Sequence, residues 1–395
     1  MPKLIAPISI ALLATAIICR TNIGASTTPA PTVSVESLPN GAIQPQALVD
    51  SKGIVHLVYY KGAPEAGDLF YVHYPSAEGI KSATTPVRVN SDPATAMATG
   101  TIRSEQIAIG GDGRIHVVWN GLAPKNGKAY APMYLAYTRL NGEGTAFEKQ
   151  RNLCQWTGNL DGGSTVAADA RGNVYAFWHT APPEIKTGEG ARGVFLTVSH
   201  DGGTTFSREK MVNPDPTGAC ACCSMKATTD AAGRISVLYR AARNSGTERD
   251  TMLMTSTDRG QTFTNRSIDA WPINACPMSS YSQASLSGGE TLLGWETKEQ
   301  VFTARLLADG KSVTVPLVAP GISKSKHPVV AGNANGDTLF AWTEGTGWAK
   351  GGSFSWQLMD KSGKLLGARG HMEGLPAWTL LSAYAKPDGS FVIVH

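Results

Sequence analysis

Charged residues are scarce in this sequence, and that scarcity narrows the kinds of protein it can be. Asp, Glu, Lys and Arg make up 17% of the 395 residues, against roughly 25% in an average globular chain. Hydrophobic residues reach 42%, so the composition excludes a disordered chain and a charged coiled coil. No run of Lys and Arg is present, which excludes a nucleic-acid-binding protein.

Glycine, by contrast, is abundant. The chain has 43 glycines and 23 prolines, whereas glycine is roughly 7% of an average protein. Such a composition is typical of a protein built from β-strands and turns. Dividing the length by about 150 residues per domain gives two or three domains, but all-β single domains often exceed that size.

The N-terminus has the pattern of a secretory signal peptide. Lys3 precedes an apolar stretch, Leu4–Cys19, as in the hydrophobic region of such peptides. We predict a signal peptide at residues 1–25, cleaved after Ala25, and one mature domain at residues 26–395. A membrane anchor is the alternative, disfavoured because the stretch is short, and no later segment is apolar enough to span a membrane. The mature protein is expected to be periplasmic or secreted, where disulfides form.

A hairpin pattern recurs seven times along the chain. Each copy has an apolar strand, a turn that contains glycine and a second strand that ends near an aromatic residue. Neighbouring turn glycines lie between 47 residues apart (Gly289 to Gly336) and 61 residues apart (Gly172 to Gly233). The predicted hairpins are Gln46–Tyr60, Gln106–Trp119, Thr165–Trp178, Lys226–Tyr239, Gln283–Trp295, Val329–Trp342 and Leu380–Val394. Their turn glycines are Gly53, Gly113, Gly172, Gly233, Gly289, Gly336 and Gly389.

This repeat predicts an all-β fold. Four antiparallel strands at such a spacing indicate a β-propeller with four-stranded antiparallel blades. Seven blades are favoured and six are the alternative, while a β-sandwich is a third, less favoured architecture. A predicted strand at residues 32–38 would complete the last blade beside the C-terminal hairpin at residues 380–394. That pairing would close the ring and remove exposed sheet edges.

Two turns that follow third strands share the pattern S-x-D-x-G-x-T-F. In each turn the Asp carboxylate can accept backbone N–H groups, the Gly permits a positive φ, and the Phe can fill the space between blades. The structural residues are Ser199, Asp201, Gly203 and Phe206 in the first turn and Ser256, Asp258, Gly260 and Phe263 in the second. The pattern resembles the Asp-box (BNR repeat) of the sialidase (neuraminidase) superfamily, whose members are β-propellers.

The resemblance implies a carbohydrate-related site without assigning an activity. Sialidases use an arginine triad for the substrate carboxylate and a Tyr nucleophile paired with Glu. In the segment where the family usually has its first arginine, Gly41–Ala47, this sequence has none, so any exo-α-sialidase activity is expected to have diverged. The residues predicted by position are Arg103, Arg240 and Arg243 for ligand binding, and Tyr281 and Glu296 for catalysis.

The five cysteines beyond the signal peptide all fall in loops that lead into the third, fourth and fifth hairpins. In a propeller these loops open on one face, around the mouth of the channel, so Cys222, Cys223, Cys276 and Met278 should converge there, together with His179 and His327. We expect at least one of Cys220, Cys222 and Cys223 to lie within bonding range of Cys276. If the two form a disulfide, their Cα atoms should be closer than about 7 Å. The loop cysteines are Cys154, Cys220, Cys222, Cys223 and Cys276.

Two uses of these cysteines stay open. Export favours disulfides that tie neighbouring loops, although an odd number leaves one thiol over. The other use is a soft-metal site for copper or zinc, with Cys220, Cys222, Cys223, Cys276 and Met278 as its ligands. The functional alternatives are a sialidase-like propeller that binds, or also hydrolyses, a glycan or small anionic ligand; a non-hydrolytic metal-binding propeller; and a disulfide-tied interaction scaffold.

Overall fold

The computed structural model describes Met1 and residues 31–39, 41–123, 133–185, 188–213, 217–320 and 324–395. Within these residues the chain forms β-strands and short 3-10 turns, and no α-helix. The 3-10 turns are Ile80–Ser82, Glu189–Ala191 and Asn244–Gly246. None of these described helical segments has the length and apolar character to cross a membrane. The predicted signal peptide lies outside the described residues, apart from Met1.

The strands form seven sheets, which are the blades of a seven-bladed propeller. The first strand, β1, is Val33–Glu36. Six sheets have four antiparallel strands whose order across the sheet follows the sequence. The strands of each blade are given from the channel outward. Blade 1 has β2–β5 (Ala42–Val49, Ile54–Ala63, Ala66–Pro75, Val87–Arg88). Blade 2 has β6–β9 (Gln106–Ile109, Ile115–Leu122, Met133–Arg139, Arg151–Asn152), and blade 3 has β10–β13 (Ser164–Ala168, Val174–Thr180, Gly193–Ser199, Lys210–Met211). Blade 4 has β14–β17 (Lys226–Thr229, Ile235–Arg240, Thr251–Ser256, Thr264–Asp269), blade 5 has β18–β21 (Tyr281–Ser285, Thr291–Thr297, Gln300–Leu306, Leu317–Val318), and blade 6 has β22–β25 (Ser325–Gly332, Thr338–Glu344, Gly352–Met359, Leu365–Leu375).

The seventh blade joins the two ends of the described domain. Its strands are β26 (Ser382–Ala385), β27 (Phe391–Val394) and β1. β1 pairs with β27 in parallel, with Val33 opposite Phe391 and Glu36 opposite Val394. The prediction of seven blades is confirmed, but this blade differs from the expected pattern: it has three strands, and its outer pairing is parallel because β1 enters from the opposite end of the chain.

The hairpin turns form where the glycines predicted them. All seven turn glycines have φ between +77° and +85°, a region that is open to glycine and costly for other residues. Carboxylates stabilise several of these turns from the inside. Asp169, for example, accepts hydrogen bonds from the backbone N–H groups of Arg171 (2.9 Å) and Asn173 (3.0 Å). The turns therefore form from local sequence chemistry.

The hydrophobic core lies between neighbouring blades. A large aromatic residue near the end of the second strand is buried in six blades, and these side chains are at most 1% exposed: Tyr60, Trp119, Trp178, Tyr239, Trp295 and Trp342. Each packs into a cluster that draws on two adjacent sheets, as where Trp178 of blade 3 contacts the cluster around Val118 of blade 2. This packing explains why every repeat needs its neighbours.

The two S-x-D-x-G-x-T-F turns lie between the third and fourth strands of blades 3 and 4, on the face opposite the inter-blade loops. Asp201 accepts a hydrogen bond from the Thr205 backbone N–H at 2.8 Å, and the Ser199 hydroxyl accepts one from the Gly203 N–H at 2.8 Å. Phe206 packs edge-on against Tyr137 of blade 2, with ring centroids 4.8 Å apart. These turns thus link neighbouring blades.

The second turn repeats these contacts. Asp258 accepts a hydrogen bond from the Thr262 backbone N–H at 2.9 Å, and Phe263 packs edge-on against Phe177 of blade 3, with centroids 6.0 Å apart. Hydrogen bonds from the Thr262 hydroxyl and backbone lower the pKa of Asp258 to about 2. The carboxylate is therefore ionised in every ordinary condition.

Candidate functional site

The innermost strands surround a central cavity of about 530 Å³. Its wall alternates small apolar residues with hydroxyl and amide side chains, among them Ser104, Gln106, Ser224, Ser280 and Gln283. Such a wall offers hydrogen bonds in several directions without strong charge. It suits a polar ligand of small or medium size.

Among the described residues that line this cavity, Lys226 is the only Lys, Arg, Asp or Glu. It begins the inner strand of blade 4, and its ammonium donates a hydrogen bond of 2.7 Å to the Gln106 side-chain oxygen in blade 2. Among the described residues its hydrogen-bond partner is the Gln106 amide, and no carboxylate is paired with it. Burial lowers the pKa of Lys226 to about 8. An anion beside the ammonium would relieve that cost.

Arg240 ends the second strand of blade 4 and holds together the residues at the channel mouth. Its side chain is 1% exposed. Its guanidinium donates to the Ser279 hydroxyl (2.9 Å) and to the Arg249 carbonyl (2.7 Å), and it also donates to the Glu296 carbonyl. It lies 5.7 Å from the centre of the Tyr281 ring. All three nitrogens of Arg240 are thus bound to the protein.

Tyr281 and Glu296 lie on either side of Arg240 without bonding to each other. The Tyr281 hydroxyl is buried beside the Ser279 hydroxyl, and no carboxylate or imidazole of a described residue hydrogen-bonds to it. The Glu296 carboxylate accepts the His327 backbone N–H at 3.2 Å and pairs with the Lys326 ammonium at 3.5 Å. Burial raises the pKa of both side chains, against the opposing effect of nearby cations. The Glu296 carboxylate thus has His327 and Lys326 as its partners, and the catalytic roles of Tyr281 and Glu296 stay a prediction.

The other two predicted ligand-binding arginines also have protein partners. Arg103 donates to the Asp161 carboxylate at 2.6 Å and to the Thr99 carbonyl at 3.0 Å. Arg243 pairs with Asp250 and with Glu248. Arg103 is thus paired with the loop that leads into blade 3 and Arg243 with residues of its own loop, and their predicted role as a carboxylate clamp stays a prediction.

An exposed aromatic residue stands on the rim of the mouth. Trp348, in the loop after the second strand of blade 6, is 63% exposed and packs edge-on against Trp378, with ring centroids 4.8 Å apart. Around Gly100 the side chains of Arg103, Met278 and Trp348 converge, since a Cβ added there would lie 2.5, 3.3 and 3.4 Å from them. The rim thus combines an aromatic face with polar groups.

The predicted convergence of the cysteines is present. Cys222 and Cys276 form a disulfide, with their Cα atoms 6.3 Å apart, inside the expected 7 Å limit. Cys220 and Cys223 are thiols, and the Cys223 sulfur lies 2.9 Å from that of Cys220. Met278 packs against this cluster. Cys154 lies apart, accepting a weak hydrogen bond from the Leu135 backbone N–H at 3.4 Å.

The surroundings of the thiol pair favour a single negative charge. Burial alone would raise the pKa of Cys223, but the Cys220 thiol, the Arg240 guanidinium and the Ser279 hydroxyl lower it to about 7. The pKa of Cys220 is raised, first by its hydrogen bond with Cys223 and then by burial. The contact between the two sulfur atoms thus favours ionisation of Cys223 and opposes that of Cys220.

The two histidines expected at the mouth are there, with both ring nitrogens of His179 and one of His327 hydrogen-bonded. His179 donates from Nε2 to the Cys223 carbonyl at 2.9 Å and accepts at Nδ1 from Arg192 at 3.3 Å. Nδ1 of His327 hydrogen-bonds the Ser280 hydroxyl at 2.9 Å. Burial lowers the pKa of both rings to about 3. They serve as neutral hydrogen-bonding groups.

Sequence reasoning missed three residues of this region. Lys226 was recognised only as the start of a hairpin, and Ser279 and Trp348 were not singled out. A lysine at the inward-facing start of an apolar strand was a usable signal, because such a position is ordinarily apolar or neutral. The roles of Ser279 and Trp348 depend on loops from other blades and left no local pattern.

Comparison with known proteins shows similarity of fold. No family model and no curated protein matches the sequence. Among solved structures, the chain is similar to a Hadza microbial sialidase, at 13% identity over 82% of this chain and 69% of that one, with a TM-score of 0.50. It is also similar to an ulvan lyase bound to a GlcA–Rha3S saccharide, at 14% identity over 88% of each chain, with a TM-score of 0.51. A third similar structure is a Fusarium graminearum α-L-arabinofuranosidase, at 9% identity over 77% of this chain and 88% of that one, with a TM-score of 0.52. Identities this low establish the propeller fold and leave the activity open.

Proposed function

We propose that this chain is an exported glycan-binding propeller that holds an acidic sugar at the mouth of its central cavity. The observation that carries the proposal is Lys226, an ammonium that lines the cavity beside hydroxyl and amide groups and has no carboxylate partner. A sugar carboxylate would supply that partner, and the neighbouring Ser and Gln side chains would bind its hydroxyls. Two of the similar structures also concern acidic sugars, one named a sialidase and one bound to a GlcA-containing saccharide.

The rim supports the choice of a sugar over a small inorganic anion. Trp348 presents an exposed ring next to Arg103 and Met278. Sugar rings pack on aromatic faces through their apolar C–H surface, while their hydroxyls reach polar groups nearby. A ligand of more than one residue would therefore extend from the cavity toward Trp348.

The residues at the channel mouth favour binding of the glycan over its efficient hydrolysis. The Tyr281 hydroxyl lacks a base, and Arg240 is committed to backbone and Ser279 partners. A tyrosine nucleophile needs a base within hydrogen-bonding distance to lose its proton.

Export is part of the proposal, with a mature domain of residues 26–395. The Cys222–Cys276 disulfide supports export because such bonds persist in oxidising compartments.

Calorimetric titration with paired ligands tests this function. N-acetylneuraminic acid and glucuronic acid would each be compared with the methyl ester, which removes the charge and keeps the sugar. We expect the acids to bind, the esters to bind at least about tenfold more weakly, and Lys226→Met to abolish the difference. Lys52→Met is the matched control, because Lys52 is exposed on a turn of the opposite face. Equal affinity for acid and ester, or no saturable binding of either acid, would refute the proposal.

A second candidate function is binding of a soft metal. It has one observation in its favour, the mutual approach of the Cys220, Cys222 and Cys223 sulfur atoms to within 4.8 Å. Because Cys222 is in a disulfide, the remaining thiol pair with Met278 fits copper(I) better than zinc, which usually takes four ligands. Elemental analysis of the purified protein beside a thiol count tests it. Stoichiometric copper supports this function, and metal-free protein with reactive thiols excludes it.

A further inference from the structure

We propose that the four cysteines at the mouth form a thiol–disulfide exchange centre with two interconvertible pairings. In one pairing Cys222 is joined to Cys276, and in the other Cys220 is joined to Cys223. The Cys220 sulfur lies 3.5 Å from the Cys222 sulfur of the existing disulfide and 2.9 Å from the Cys223 sulfur. Cys220 is thus in reach of both reactions. This proposal is independent of sugar binding.

The local sequence supports the second pairing. Cys220 and Cys223 are separated by two residues, the C-x-x-C spacing that allows a disulfide within a single turn and is used by dithiol redox centres. Cys222, one of the residues between them, belongs instead to the bridge across to Cys276, 54 residues away. The short stretch therefore holds one partner of each pairing side by side.

The exchange is balanced without any outside oxidant. Cys220 passes its proton to the Cys223 sulfur, and the Cys220 thiolate attacks the Cys222 sulfur. The bond between Cys220 and Cys222 forms as the bond to Cys276 breaks, and Cys276 leaves as a thiolate. Through solvent, the Cys276 thiolate takes up the proton that Cys223 releases. The Cys223 thiolate then attacks the Cys220 sulfur, and Cys222 leaves as a thiolate. One disulfide, one thiol and one thiolate are present before and after.

Two buried arginines, Arg240 and Arg249, lie around the thiol pair and its hydrogen-bond partners. Arg240 binds Ser279, whose hydroxyl donates to the Cys223 sulfur at 3.2 Å. Arg249 is 5% exposed, and its Nε and Nη1 atoms have no hydrogen-bond partner among the described residues. Buried positive groups with spare N–H donors stabilise negative charge on nearby sulfur. The Cys220 loop is held in place where the Ala221 N–H donates to Glu189 at 2.7 Å.

The four cysteines differ in their exposure to solvent, so the exchange would change which thiol is accessible. Cys276 is exposed, whereas Cys220 and Cys223 are each only 1% exposed. Exchange therefore moves a thiol from the interior to the surface, where a thiol- or disulfide-bearing molecule can react with it.

Time-resolved alkylation with iodoacetamide tests the exchange on the intact protein, in buffer that contains EDTA and no reductant. Trypsin leaves Cys220, Cys222 and Cys223 in one peptide, 211–226, and Cys276 in another, 267–298. The present bridge therefore joins the two peptides, whereas the alternative pairing closes a disulfide inside the first. We expect the joined peptides to disappear with time. In their place should appear alkylated Cys276 and a 211–226 peptide with one alkyl group and an internal disulfide.

Variants separate this route from unfolding or exchange between molecules. Cys220→Ser should slow alkylation of Cys276 by at least about tenfold, because the attacking sulfur is gone. Cys223→Ser should stop at the intermediate bond between Cys220 and Cys222, and Cys154→Ser, outside the cluster, should behave as wild type. The proposal is overturned if wild-type Cys276 stays unlabelled while Cys220 and Cys223 are alkylated. It is also overturned if folded Cys220→Ser releases Cys276 at the wild-type rate.

Discussion

At the scale of single residues, burial pushes the key groups of the mouth toward their neutral forms. Lys226 has its pKa lowered to about 8, and Tyr281 has its pKa raised, both first by burial. The two residues differ in what a ligand can do for them. An anion restores the charge of Lys226, whereas the Tyr281 hydroxyl needs a base that the site does not offer.

The pKa of Lys226 predicts how the affinity for an acidic sugar depends on pH. Lys226 binds a carboxylate only when protonated, and it loses its proton as the pH rises through about 8. Affinity for an acidic sugar should therefore fall across that range, with a midpoint somewhat above it because the bound anion raises the pKa. Calorimetric titrations at a series of pH values measure this, and Lys226→Met should give a flat profile. A wild-type affinity that is constant through this range contradicts the assignment.

The buried Tyr281 hydroxyl leads to a prediction about the stability and the turnover of the Tyr281→Phe variant. Tyr281→Phe removes a buried hydroxyl whose one described hydrogen-bonding neighbour is Ser279, so the free energy of unfolding should change by no more than about 1 kcal/mol. Denaturant unfolding measures that change. On an aryl sialoside we expect no turnover by either protein. Strong wild-type turnover that Tyr281→Phe abolishes would show that Tyr281 is a nucleophile after all.

At the scale of elements, each S-x-D-x-G-x-T-F turn joins local hydrogen bonding to contact between blades. The carboxylate orders the turn, and the ordered turn places its Phe against the neighbouring blade, as Phe263 lies against Phe177. The turns lie on the face away from the cavity. Their contribution should therefore be to stability alone.

Removal of a turn carboxylate tests that expectation. Asp201→Ala and Asp258→Ala should each lower the free energy of unfolding by about 1–3 kcal/mol and leave sugar affinity unchanged. The difference between wild type and Asp258→Ala should shrink in acid, as the pH falls from about 4 to about 2, because the folded carboxylate then takes up its proton. Thr257→Ala, an exposed change in the same turn, is the control. A fully stable Asp258→Ala protein that has lost its ligand would reverse this assignment.

At the scale of the whole molecule, stability depends on closing the ring. β1 and β27 come from opposite ends of the described domain, and their pairing is extended by hydrogen bonds such as His395 N–H to the Glu36 carbonyl at 3.0 Å. Val33 and Val35 of β1 pack against the core of blades 6 and 7. Without this strand, β27 would present an open edge.

A charge on β1 should loosen the ring. Val35→Asp places a carboxylate against that core and should cost on the order of 2 kcal/mol or more of unfolding free energy. Ser34→Asp puts the same charge on the exposed side of the same strand and should cost little. Thermal unfolding of the two variants measures the difference. If both lose the same stability, β1 does not close the ring through its buried face.

The repeat was readable from the sequence because the determinants of a hairpin are local. An apolar alternation, a glycine with positive φ and a buried aromatic lie within about fifteen residues of one another, and seven copies identified a propeller. The spacing of the S-x-D-x-G-x-T-F turns and the cluster of loop cysteines were equally visible. What the local pattern left open was how the last blade closes, since the parallel pairing of β1 with β27 joins residues at the two ends of the domain.

The chemistry of the mouth was decided by the tertiary structure alone. Lys226 meets Gln106 across 120 residues, Arg240 meets Glu296 across 56, and Cys222 meets Cys276 across 54. Whether each group is charged, bonded or reactive depends on which neighbours other blades supply and on how far water is excluded. Amino-acid sequence determined the blades because their stabilising contacts are short in range. Only the closed ring determined the site, because burial and charge there arise from several loops at once.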